Sequence, residues 1–179
     1  MIKKVLLGLI AAIVIILVVA SFQSDDLNVT RSATIAAPPD AVFKVVNDFR
    51  QWDAWSPWSK LDPAMKKTLE GPPEGVGAIY KWSGNNEVGE GSTRLVGSKP
   101  NETIDMKLEF VRPFEGSSDV RFTFAPEGTG TKVTWAMQSK KPFIGKVMGL
   151  FMDCGKMCGD QFSEGLGNLG KVVTAAPKP

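Results

Sequence analysis

Three segments in the second half of the chain alternate apolar and polar residues with a period of two. Ile104, Met106, Leu108 and Phe110 share one face, with Asp105, Lys107 and Glu109 on the other. Val120, Phe122 and Phe124 repeat the pattern, and Val133, Trp135 and Met137 repeat it again. Successive side chains of a strand point to opposite faces, so this alternation specifies an antiparallel sheet with one dry and one wet face. After Pro142 the period changes. Ile144, Val147, Met148, Phe151, Cys154, Gly155, Cys158, Phe162, Leu166 and Leu169 form a helical stripe. A sheet with one dry face must cover it, and one long amphipathic helix at the end of the chain does so. Upstream, Val29–Ala36, Lys66–Glu70, Gly77–Ser83 and Val88–Gly97 read as further strands. Pro38-Pro39-Asp40 starts a helix reaching about Asn47, and Phe49–Trp58 is a short helix or turn broken at Pro57. The expected fold class is α+β: a curved antiparallel sheet of about seven strands wrapped around a long C-terminal helix. Space between sheet and helix is a natural ligand cavity.

At the other end, Lys3 and Lys4 precede an uncharged run, Val5–Phe22. Eighteen helical residues rise about 27 Å, close to the hydrocarbon thickness of a bilayer. Residues 1–22 are therefore expected to be a transmembrane anchor, with a cleaved signal peptide as the rival. Either way the positive flank stays inside and the domain faces the extracytoplasmic side, periplasmic or extracellular. Residues 23–28 form a linker, 29–174 one domain and 175–179 a tail.

The net charge of +2 belongs to those two N-terminal lysines, because the other 19 basic residues match the 19 acidic ones. A neutral domain has no electrostatic reason to seek nucleic acid. The chain has no histidine, which removes the commonest general base and every histidine-based metal site. Cys154 and Cys158 alone make an incomplete zinc site, and an i,i+4 pair in one helix suits a disulfide poorly. They read as free thiols, and no metal or cofactor is expected.

Trp52-Asp53-Ala54-Trp55-Ser56-Pro57-Trp58, Tyr80-Lys81-Trp82-Ser83-Gly84-Asn85, Gly89-Glu90-Gly91 and Gly130-Thr131-Lys132-Val133-Thr134-Trp135 resemble the polyketide cyclase/dehydrase branch of the SRPBCC superfamily. That superfamily includes the START lipid-transfer domains and the birch pollen allergen. The resemblance covers about Val29 to Val173. It implies a helix-grip fold with a deep apolar pocket for lipids, polyketides or steroids, and it fixes no reaction. The partner it implies is a hydrophobic small molecule or lipid, with membrane attachment through the N-terminal helix.

The residues expected at the cavity come from three places. From the tryptophan segment and first strands come Trp55, Tyr80 and Trp82, and the sheet adds Met106, Leu108, Phe110, Phe122, Trp135 and Met137. The final helix adds Met148, Phe151, Gly155, Cys158 and Phe162. Each of these also fits an ordinary core role. Glu90 and Arg94 are the polar groups expected to approach the cavity, and no catalytic residue is assigned. The glycines at 145, 149, 155, 159, 165, 167 and 170 are unusual for a helix. Either Gly155, with Cys154 and Cys158, leaves room for a ligand, or the glycines allow tight packing of helix on sheet. Against the binding protein stand two alternatives: a cyclase or dehydratase using cavity carboxylates, and an interaction domain with a collapsed pocket.

Overall fold

The computed structural model describes residues 1–175; the tail at 176–179 lies outside the described residues. Helix α1 (Ile2–Ser21) leads into strand β1 (Asp26–Ile35). Helix α2 (Pro39–Asn47), a 3-10 turn (Phe49–Ala54) and the single turn α3 (Trp58–Leu61) follow. Six strands come next: β2 (Lys66–Glu70), β3 (Ile79–Ser83), β4 (Glu90–Lys99), β5 (Thr103–Arg112), β6 (Gly116–Glu127) and β7 (Gly130–Lys140). Helices α4 (Phe143–Met148) and α5 (Cys154–Ala175) close the chain.

The seven strands form one antiparallel sheet in the order β1-β7-β6-β5-β4-β3-β2. The helix-grip architecture expected from the pattern is the one observed. Its dry face carries Leu95, Ile104, Met106, Val120, Phe122, Phe124, Val133 and Trp135, all buried. Burying each large apolar side chain contributes about 1.5–3 kcal/mol, which explains why the register is held so firmly.

The long terminal helix differs from the expectation. The apolar stripe from Ile144 to Leu169 belongs to two helices, not one. Helix α4 stops at Gly149, and α5 begins afresh after Asp153, whose carboxylate accepts a hydrogen bond from the Lys156 backbone N–H at 2.8 Å. That is the N-capping geometry of a new helix. The break turns the first part of the stripe outward, leaving Ile144, Met148, Phe151 and Met152 exposed.

Helix α5 packs chiefly along β1, at one edge of the sheet, and its side chains reach β7. Two glycines set how closely it approaches. A Cβ on Gly165 would lie 2.9 Å from Cζ3 of Trp135 and 3.2 Å from Cδ of Pro57, and one on Gly159 would overlap the Arg31 guanidinium. These positions carry the tight-packing explanation. Gly155 does not face open space, because its Cβ would make ordinary contact with Leu27. Gly167 faces nothing within 4 Å. A paired substitution checks this. Gly165→Ala should destabilise the domain by about 1–3 kcal/mol through overpacking. Gly167→Ala should stabilise it by about 0.5–1 kcal/mol, the ordinary helical gain. Urea unfolding of both variants reads the two signs, and a neutral Gly165→Ala would remove the close-approach argument.

Candidate functional site

Because α5 covers one edge of the sheet, the dry surface of β3, β4 and β5 is left partly uncovered. There the structure holds a cavity of about 730 Å³, opening to solvent. Its walls come from every layer. The sheet supplies Tyr80, Trp82, Thr93, Met106, Leu108, Phe110, Val120, Trp135 and Met137. The segment after α2 supplies Trp52, Ser56, Trp58, Leu61 and Met65, and β1 supplies Leu27. Helix α5 closes the cavity with Cys154, Met157, Cys158, Gln161 and Phe162, and Asn86, Glu87 and Val88 complete it from the β3–β4 turn.

The aromatic end wall is built by local chemistry. Asp48 caps the 3-10 turn, accepting from the Arg50 backbone N–H at 2.9 Å and from its guanidinium at 2.8 Å twice. Burial opposes the Asp48 charge, but the Arg50 hydrogen bonds outweigh it and hold the carboxyl below its usual range. The turn thus fixed brings Trp52 back over α2, where its indole N–H donates to the Val46 carbonyl at 2.9 Å. Trp55 packs behind it with ring centroids 5.1 Å apart, and Trp58 meets Trp135 edge to face at 5.7 Å. Trp135 lies flat on Phe162, at 4.1 Å and 6° between planes. This stack joins sheet to helix and forms one side of the cavity.

Two wall atoms stand out. The Trp135 indole N–H and the Gln161 side-chain oxygen are buried without a hydrogen-bond partner, as is the Trp55 indole N–H in the core behind them. An unmet buried polar group costs about 1–3 kcal/mol, and neighbouring side chains shield these atoms from the cavity space as well as from solvent.

The ionisable groups are few. Glu87 is the one carboxylate among the lining residues, and it is exposed. Burial, aided by the charge of Asp53, pushes the Tyr80 phenol well above its usual range, so it remains a neutral donor. Burial also raises the Cys158 thiol to about 11, keeping it protonated near neutral pH. Both cysteines are free thiols. Among the described residues, no cluster of three or more cysteine, aspartate or glutamate side chains could hold a metal ion.

Of the residues expected at the cavity, the structure brings together Tyr80, Trp82, Met106, Leu108, Phe110, Trp135, Met137, Cys158 and Phe162. Trp55 and Phe122 sit behind the wall, each fully buried. Met148, at the end of α4, and Phe151, in the break before α5, fall outside it. Gly155 is not in the wall, nor are the two polar residues. Arg94 points to solvent because β4 turns its neighbours Thr93 and Leu95 inward. Glu90 makes an ion pair with Arg112 at 2.9 Å and accepts from the Ser83 hydroxyl at 3.2 Å. Ser56, Asn86, Glu87, Thr93 and Gln161 are the polar lining groups that sequence reasoning missed. Thr93 was findable from the alternation of β4; Gln161 was not, since it borders the helical stripe.

The chain belongs to the family described as polyketide cyclase/dehydrase and lipid transport, whose model matches residues 26–174. Solved structures share the fold. A protein from Rhizobium leguminosarum aligns with a TM-score of 0.64 at 15% identity, covering 86% of this chain and 98% of that one. One from Chromobacterium violaceum gives 0.63 at 15%, covering 84% and 99%. CalU16 from Micromonospora echinospora gives 0.56 at 14%, covering 83% and 76%. No curated protein matches the chain in sequence.

Proposed function

We propose that this chain is a membrane-tethered, extracytoplasmic binding protein for an apolar small molecule or lipid. In this reading residues 1–22 are the anchor, 23–28 the linker and 29–174 the binding domain. The observation that carries it is the cavity between sheet and α5, with its mainly apolar wall. A volume of this size is that of an ordinary small-molecule site. The family's description, which includes lipid transport, agrees with it.

The tether rests on α1, the one described helix long and apolar enough to cross a membrane. Its 20 residues rise about 30 Å. Lys3 and Lys4 favour a cytoplasmic N-terminus, which sets the domain on the other side. The test is native mass spectrometry of the full chain purified from its own host in mild detergent. A bound mass released on denaturation, of lipid or similar apolar character, is expected. A bare protein that also takes up no lipid from host membrane extract would sink the reading.

A further inference from the structure

In the folded part, exposed large apolar residues occur singly at Leu61, Leu69, Val76 and Val96, as Val111 and Phe114 near one turn, and at Met157, but one stretch gathers five of them. Phe143, Ile144, Met148, Phe151 and Met152 all lie on α4 or on the connection to α5, and Phe151 is 71% exposed. Large exposed apolar groups gathered in one stretch mark a surface that meets something apolar.

The geometry of α1 says what that is. Most of α1 is exposed, but Ile16 is half-buried and Ala20 fully buried, and α1 packs against α4. The junction is clamped. Lys146 of α4 forms an ion pair with Asp25, and the Lys141 N–H donates to the Asp25 carbonyl at 2.6 Å. If α1 spans the bilayer, its last turn lies at the headgroup level, within about 5 Å of the hydrocarbon edge. Helix α4 is then held at the same depth. An exposed apolar helix at that level is stable lying in the interface. The linker carboxylates do not oppose this, since Asp25 pairs with Lys146 and Asp26 with Lys140.

One wall of the cavity lies nearby. Leu27, the second residue of β1, sits just past the clamp, and Cys154 and Met157 are in the first turn of α5; all three line the cavity, and Met157 is exposed where that wall meets solvent. Resting on the reading of α1 as an uncleaved anchor, we propose that α4 and residues 149–153 form a bilayer-docking surface. It seats the cavity mouth on the membrane, so an apolar ligand moves between acyl chains and cavity without crossing water.

The test places the photo-crosslinker p-benzoylphenylalanine, one site at a time, at Phe151, Met148, Val18 and Lys132 of the full chain. Lys132 is exposed and lies near the far end of the sheet from α1, paired with Thr34 of β1. Each protein is reconstituted in vesicles of phosphatidylcholine and phosphatidylglycerol, irradiated and weighed. Lipid adducts are expected at 151, 148 and 18, with at least tenfold less at 132. Adducts at 18 but none above the 132 level at 151 and 148 overturn the docking surface and leave the anchor standing. Absence of adducts at 18 overturns the anchor reading itself, and docking with it.

Discussion

Truncating Phe162 to alanine is expected to cost the domain about 3–5 kcal/mol, with Tm lowered by roughly 10 °C. Phe162 is 2% exposed and lies flat on Trp135, with Trp58 at its edge. The stack is the main aromatic contact by which α5 grips the sheet. Removing the ring takes away its buried area and the face of Trp135 that it covers. The vacated space adjoins the cavity, so neighbouring side chains have little to collapse onto. Trp135 would also lose the stacking itself, about 0.5–1.5 kcal/mol beyond burial. Thermal and urea unfolding read the change, and a loss below about 1 kcal/mol would show that the helix is held mainly elsewhere.

Filling the cavity should do the opposite: leave the fold intact and abolish binding. Leu108 on β5 and Met137 on β7 both line it. The double variant Leu108→Trp/Met137→Trp carries two large rings from the wall, where Met137 is part of the buried core, into the cavity space. Affinity for the apolar fluorophore N-phenyl-1-naphthylamine is expected to fall at least tenfold, about 1.4 kcal/mol. Tm should stay within a few degrees of the parent, because the contacts that the rings gain in the cavity offset those lost around Met137. Lys107→Trp, on the wet face of the same strand, should bind the dye as the parent does. Undiminished dye binding by the double variant would mean that the probe sits somewhere other than between sheet and helix.

How much of this was legible beforehand depended on the range of the interactions involved. The sheet was readable because a period-two pattern is local: Ile104 to Phe110 and Val133 to Met137 declare their own faces. Lys66–Glu70 was placed to the residue, and other strand ends lay within a few residues. The break before α5 was hidden because the apolar stripe runs across it in phase. Asp153 was the available signal, as a capping residue ahead of a helix, and the stripe masked it. That one miss moved Met148 and Phe151 from the outside to the cavity. Arg94 was misplaced against a signal already present, its position between Thr93 and Leu95. For Arg31 the position is local but its accommodation is not. The alternation of β1 turns this residue inward with Val29 and Ile35, but only Gly159, in a helix at the other end of the chain, leaves its guanidinium room there.

The edge where β1 meets β7 carries a kinetic consequence. Asp26 pairs with Lys140, 114 residues later, and α5 follows only after that. Contacts so distant in sequence delay folding, because the loop must close before they repay it. A ribosome therefore finishes nearly the whole polypeptide before Trp135 and Phe122 gain their cover. Until then the newborn chain carries an oily, unroofed sheet, and its survival rests on whatever holds it soluble over that interval.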